Sequence, residues 1–361
     1  MKTYTRSVIA LILTALLAFS MVACSSAPAE STPTPTADNT PAEGTPTDAA
    51  TPDDSADSEY PIVIQHAFGE TVIEKKPERV ATIAWANQDT PLALGVVPVG
   101  FSMANFGPVD AFGNHPWTAA KLAELGVTEP NVFQDTDGYD YEAISDTNPD
   151  IILAAYSGIT QEEYDLLSQI APVVAYPRQP WQTYWRELVL INSEAIGMKA
   201  EGEQYVAETE ALIAEKVSQY PQLDDKTGAF LWIDATNLST FYLYFTIDPR
   251  ASYLTDLGIS FPESLDALKT DDTSFAATVS AENIDILYDL DIIVAYGDAT
   301  LLETLQADAL FGTVPAVQRG SVALIDSNTE LAGAATPSAL SIPAVIDEYL
   351  GLLAEAADKV K

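Results

Sequence analysis

Aromatic side chains and scarce arginines recur where a short apolar run gives way to a loop. Trp85, Tyr156, Trp232 and Tyr296 each close such a run. Arg178 and Trp181 follow the run at 173–176, and Tyr242 and Tyr244 follow Trp232. Flat rings with polar tips, helped by a few guanidinium groups, grip an organic ligand by stacking and cation–π contact. Catalysis has a thinner basis. The chain has two histidines, His66 and His115, and no Gly-x-Ser-x-Gly elbow, His-Glu-x-x-His pair or glycine-rich phosphate loop. Two imidazoles are also too few for the usual ligand set of a bare transition metal. His115, beside Pro116 and Trp117, reads as a loop or rim residue. Paired-carboxylate chemistry remains the catalytic alternative in so acidic a chain.

The elements that must position these residues are written twice. Glu142-Ala-Ile leads through Asp150-Ile-Ile-Leu to Tyr156, and Glu282-Asn-Ile leads through Asp291-Ile-Ile-Val to Tyr296; fourteen positions separate Glu from Tyr in both. Each copy reads as a short helix followed by an apolar run of central-strand length, the signature of a parallel sheet. Two copies about 140 residues apart do not make a solenoid; they predict two α/β lobes facing each other across a cleft. The expected strands lie at 79–85, 96–101, 150–156 and 173–176 in the first lobe, and at 228–233, 243–247, 291–296 and 321–325 in the second. In the first lobe Asp89 or Thr90 is placed to cap a helix beginning at Pro91, and a last helix is expected over 338–359. Between the lobes, 181–221 has proline-free helical spacing ended by Pro221. This predicts a single backbone helix, with Gly197 or Gly202 as the place where it would break. The strand ends named above fall where open α/β sheets bind ligands.

The ends and the charge place the molecule. Lys2 and Arg6 precede an apolar run at 8–19 and then Met21-Val-Ala-Cys24, an export signal too short to span a bilayer. This resembles a bacterial lipoprotein box, with residues 1–23 removed and Cys24 lipidated as a membrane anchor. Cys24 is the only cysteine, so no disulfide supports the fold. Residues 24–60, rich in Ser, Thr, Pro and acid, cannot bury enough surface to fold and read as a tether. The body then divides into a lobe over 61–180, the connecting helix over 181–221 and a second lobe over 222–361. With 16 basic against 53 acidic residues and a formal charge of -37, the surface repels nucleic acid and favours a neutral or cationic ligand over an anionic one.

These features together resemble the iron-siderophore binding proteins of ABC importers, the helical-backbone class of periplasmic-type receptors. The resemblance rests on the lipoprotein box, Pro77-Glu-Arg-Val-Ala-Thr-Ile-Ala, Leu94-Gly-Val-Val-Pro-Val-Gly100, Tyr141-Glu-Ala-Ile with Asn148-Pro-Asp-Ile-Ile-Leu153, Ile170-Ala-Pro-Val-Val174, the central helical segment and Leu257-Gly258, in that order. It implies an α/β fold of two Rossmann-like lobes with mostly parallel sheets, and a monomer without catalytic activity or cofactor. It also implies a ferric siderophore in the cleft, its iron held by the chelator, with hydroxamate favoured on charge. It adds Arg250 as a ligand-facing residue, and assigns Glu142 and Glu282, one per lobe, to docking on a two-subunit permease. Cobalamin or haem on the same fold is the alternative ligand.

Overall fold

The computed structural model describes residues 60–135 and 137–360; the export signal, Cys24 and nearly all of the tether lie outside them. The first lobe opens with an antiparallel hairpin, β1 (Ile62–His66) and β2 (Gly69–Ile73). It continues as β3 (Val80–Thr82), α1 (Asp89–Ala93), β4 (Gly100–Ser102), α2 (Pro116–Glu124), β5 (Val132–Phe133), α3 (Tyr141–Asp146), β6 (Ile151–Ala154), α4 (Gln161–Leu167) and β7 (Val173–Ala175). Strands β3 to β7 form an all-parallel sheet in the order β5-β4-β3-β6-β7.

Two helices follow, α5 (Trp185–Ala195) and α6 (Lys199–Val217). The second lobe contains β8 (Gly228–Ile233), β9 (Thr240–Tyr244), α7 (Pro249–Asp256), α8 (Glu263–Asp266), β10 (Ala276–Ser280), β11 (Ile292–Tyr296), α9 (Ala299–Ala307), α10 (Pro315–Arg319), β12 (Val322–Ile325), α11 (Glu330–Ala334) and α12 (Ser341–Ala357). Its sheet runs β10-β9-β8-β11-β12, parallel from β8 through β12 and antiparallel on the β9-β10 side.

The sequence repeat takes equivalent places in the two sheets, since β6 lies beside β3 and β11 beside β8. Residues 151–154 and 292–295 are wholly buried, as strands covered on both faces must be. The repeated aspartates start these strands by bonding the neighbouring strand's entry. Asp150 accepts from the Glu78 and Arg79 amides at 2.9 Å, and Asp291 from the Thr227 amide at 3.0 Å. In each sheet the chain order reverses between these two neighbours, a switch point that opens a crevice at the strands' carboxyl ends.

The connection differs from the single helix expected over 181–221. Gly197 takes a left-handed conformation (φ 66°), and the Gly197 and Met198 amides bond back to Glu194 and Ser193 carbonyls, a Schellman stop that ends α5. The chain then turns back. Arg186 near the start of α5 meets Glu210 on α6 at 2.5 Å, two residues that a continuous helix would hold some 36 Å apart. Gly202 lets the helices approach, since a Cβ there would lie 1.9 Å from Ser193 Oγ. The connector is therefore an antiparallel helical hairpin whose two arms both run between the lobes. Trp185 Nε1 and Arg186 bond Asp256 of α7 at 3.0 and 2.8 Å, while Ile196 packs with Ile64 and Ile73 of the first lobe.

Asp89 also departs from its expected role. It does not cap α1, whose cap residue is Gln88. Wholly buried, it accepts hydrogen bonds from Trp117 Nε1 (3.2 Å), Thr118 Oγ1 (3.1 Å) and, across the lobes, Ser338 Oγ. Tyr205 of α6 donates to the Ala339 carbonyl at 2.7 Å beside this node. Both lobes and the connector thus meet at one buried carboxylate.

Candidate functional site

The two switch points face each other across a cleft of about 630 Å³. From the first lobe Trp85, Tyr156 and Trp181 line it; from the second, Trp232, Tyr244, Arg250 and Tyr296. Seven of the nine residues expected from sequence therefore converge there. Tyr242 stands outside the lining, its ring edge-on to Trp232 at 5.3 Å, and so buttresses a wall. Arg178 is a correction. It forms a bidentate pair with Glu187 at 2.5 and 2.7 Å in a separate groove lined also by Tyr184 and Asp256. Glu187 on the first turn of α5 captures it, so it has no guanidinium to offer the cleft.

Local backbone geometry presents the aromatics. Trp85 lies three residues past the end of β3, and its neighbours Ala84 and Ala86 both adopt left-handed conformations, φ 62° and 59°, costly for residues with a Cβ. Asn87 repays this locally. Its buried side chain donates to the Ile83 and Tyr156 carbonyls at 2.8 and 2.9 Å and accepts from the Tyr156 amide at 3.2 Å, tying the Trp85 loop to the Tyr156 loop. Trp181 is also left-handed (φ 61°) and 45% exposed; its amide bonds the Ser157 carbonyl at 3.0 Å, and its ring lies over Gly158. A Cβ on Gly158 would sit 2.3 Å from the indole Nε1, so the glycine is what lets that ring lie flat. His115 is not a rim residue. It is buried behind Trp85, stacked on Trp117 at 4.4 Å, and burial pushes its imidazole down to about 4.

Across the cleft, Arg250 lies over the Tyr244 ring at 4.2 Å and is held bidentately by Asp248 at 2.9 and 2.7 Å, while Asp248 caps α7 through the Arg250 amide. Burial opposes the guanidinium charge, and Asp248 more than restores it, so Arg250 stays cationic and already neutralised. Burial raises the Tyr156 phenol and lifts Tyr296 to about 12, the latter held back by Arg250. Both remain neutral phenols. Phe106 of the first lobe meets Tyr296 edge-on at 5.2 Å, a contact that bridges the lobes beside the cleft.

Several lining residues escaped the sequence reading. Ser102, Asn105, Phe106 and Asp135 extend the first wall, Asp248 and Phe275 the second. Ser102 and Asp135 lie at or just beyond the carboxyl ends of β4 and β5, a position rule that would have found them had short polar residues been weighed with the aromatics.

The sequence profile described as "Periplasmic binding protein" matches residues 80–329, more than half of the chain. The chain belongs to the periplasmic binding protein family. It is similar to the Fe(3+) dicitrate-binding periplasmic protein FecB of Escherichia coli, 26% identical over 286 residues that cover 74% of this chain and 86% of FecB. The ferric-anguibactin-binding protein FatB of Vibrio anguillarum is 25% identical over 81% of this chain and 87% of its own. Among solved structures, PiaA of Streptococcus pneumoniae TIGR4 in complex with ferrichrome aligns with a TM-score of 0.80 at 50% identity, covering 83% of this chain and all of PiaA. A family of binding proteins bears out the two-lobed α/β fold and removes the alternative of a carboxylate enzyme. Among the described residues no helix is long and apolar enough to cross a membrane, and no group of three or more His, Cys, Asp or Glu is arranged to hold a metal ion.

Proposed function

We propose that this periplasmic binding protein is an extracytoplasmic receptor for a ferric siderophore of hydroxamate type, which it passes to an ABC importer. The observation that carries this reading is the cleft's chemistry. Its walls are aromatic, and its single basic side chain, Arg250, is met by two acidic ones, Asp248 and Asp135, so there is no excess positive charge to hold an anionic ligand. A ferric ion chelated by three hydroxamates is neutral and presents an apolar, hydrogen-bonding shell. The 50% identity to ferrichrome-bound PiaA supports the same class. Haem fits less well, because its usual axial partners are a His or a Tyr; here burial raises all four cleft tyrosines, Tyr139, Tyr156, Tyr244 and Tyr296, which stay phenols, and His115 is packed behind Trp85.

Three of the chain's five tryptophans line the cleft, so quenching of intrinsic fluorescence reads occupancy directly. Ferrichrome should quench saturably with a micromolar or tighter dissociation constant. Haem, cobalamin and ferric citrate should bind far more weakly. Tight binding of a ferric tris-catecholate or of citrate would overturn the hydroxamate assignment, and failure of every ferric chelate to quench would sink the receptor reading.

Delivery rests on Glu142 and Glu282. Both are exposed, Glu142 in the first turn of α3 and Glu282 in the first turn of a 3-10 helix over Ala281–Leu287. Neither is needed as a cap, because the Asp140 side chain accepts from the Ala143 amide and that of Ser280 from the Glu282 amide. Their charge is therefore available to basic groups of the permease, while lipidated Cys24 would keep the receptor at the membrane. Replacing both glutamates by Arg should abolish uptake by cells while ferrichrome affinity in solution is kept; normal uptake by the double variant refutes the docking role.

A further inference from the structure

The cleft is electrically lopsided. In the second lobe Arg250 and Asp248 cancel each other at 2.7 and 2.9 Å. In the first lobe the Asp135 carboxylate, just past the end of β5, accepts from Ser102 Oγ, its one side-chain hydrogen-bond partner among the described residues, and Ser102 is itself fixed by accepting from the Ala84 amide at 2.8 Å. No Lys or Arg pairs with Asp135 among the described residues, although it lines the cavity beside Tyr139. A partly buried carboxylate without a counter-ion costs free energy, and a positively charged ligand group would relieve that cost.

We propose that Asp135 is a specificity-determining residue that seats a protonated amine carried on the organic shell of the ferric chelate, so that the receptor grades otherwise identical complexes by charge. The inference rests on the siderophore reading above and names the substrate class within it: hydroxamate chelates with a pendant ammonium group. The Ser102 hydrogen bond orients the carboxylate. The cancelled Arg250–Asp248 pair leaves Asp135 as the charge that decides. Trp85 and Tyr139 on the same wall would flank the ammonium group, which suits a cation near aromatic faces.

Three probes with one iron core test it: a linear ferric trihydroxamate ending in a primary ammonium group, the same complex with that amine acetylated, and the same complex with it succinylated. Their charges run from positive through neutral to negative, while the coordination of the iron is unchanged. Affinity for the native protein should fall at each step, by about fivefold or more from the ammonium to the acetylated probe, the Coulomb attraction of an ion pair about 4 Å apart even at the dielectric of bulk water. In Asp135→Asn the ratios between neighbouring probes should collapse towards one, and Asp135→Glu should restore them. Ratios are compared, so a general change in affinity of the variant does not blur the result. Equal binding of all three probes by the native protein overturns the charge-reading role and leaves the receptor reading intact. A full ladder that persists in Asp135→Asn assigns the effect to the acidic surface at large and equally overturns the proposal. If none of the three binds, both readings fail.

Discussion

Replacing Asp89 with Asn should make the protein more stable relative to the native form as pH rises. Burial raises the Asp89 carboxyl from 3.8 to about 6, partly offset by hydrogen bonds from Ser338, Thr118 and Trp117. The folded chain therefore binds this proton more tightly than the unfolded chain. Stability from the group is fully present below about pH 4 and is lost as pH climbs through about 6. A shift of about two units corresponds to about 3 kcal/mol lost by pH 7. Asparagine cannot ionise, so Asp89→Asn escapes that loss. It suffers instead a pH-independent penalty of about 1–3 kcal/mol, because its amide leaves at least one of the three donors without an acceptor. His115 slopes the other way: its imidazole, depressed to about 4, costs stability as pH falls below its ordinary value of 6.5. That term is common to both proteins and cancels in the difference. Urea unfolding at pH 4, 5, 6 and 7 should show the variant gaining about 2.5 kcal/mol on the native protein across the range, the rest of the shift lying below pH 4. A difference that stays constant within about 0.5 kcal/mol would refute the argument that a buried, ionising carboxylate joins the lobes.

Asn87→Ala should lower stability by about 3 kcal/mol, because the buried Ile83 and Tyr156 carbonyls and the Tyr156 amide lose their partner. It should also weaken ferrichrome binding by more than tenfold, and a variant that unfolds more easily but binds normally would show that the two loops hold their aromatics without it. Gly158→Ala should leave the free energy of urea unfolding within about 1 kcal/mol of native yet cut affinity about tenfold, since the new methyl displaces the exposed Trp181 ring. Unchanged affinity would remove Trp181 from the site. Small-angle scattering should give equal radii of gyration for free and ferrichrome-loaded protein, because a two-helix connector resists bending; compaction on loading would contradict this.

What could be read from the sequence was what is local or repeated. The Glu-to-Tyr echo placed β6 and β11 correctly, and with them the two tyrosines that face each other, because a buried parallel strand writes itself as a continuous apolar run. Gly197 was visible as a potential break, but the direction of the chain after it was not, since contacts between residues far apart in sequence, such as the Arg186–Glu210 pair, are what show that the helices fold back. Strand β10 (Ala276–Ser280) and the hairpin of β1 and β2 were not recognised; their pairing partners, not their composition, make them strands. Asp89 looked like a cap because capping is a local rule, whereas its cross-lobe partner Ser338 is 249 residues away. Arg178 failed for the same reason in reverse, as a scarce cation after a strand end captured by Glu187 on the next helix. Weighing cations and rings as ligand contacts also left Asp135 unnoticed.

The connector and the cleft explain each other. Lobes hinged on flexible strands can tighten around a ligand after it enters, so their binding loops need not be fixed beforehand. Here the lobes are held by two helices, by the Asp89 node and by Phe106 against Tyr296. Little closure is left to supply affinity, so the binding surface must be correct in the free protein. This accounts for features that would otherwise be costs without return. Three non-glycine residues in left-handed conformations, Ala84, Ala86 and Trp181, stand at or beside cleft aromatics. A buried asparagine spends its amide on joining two loops, and a glycine is placed where only its missing side chain lets an indole lie flat. Strain of this kind persists only where the surroundings over-determine it. It sits on the loops that line the cleft because those loops have no later movement in which to find their shape.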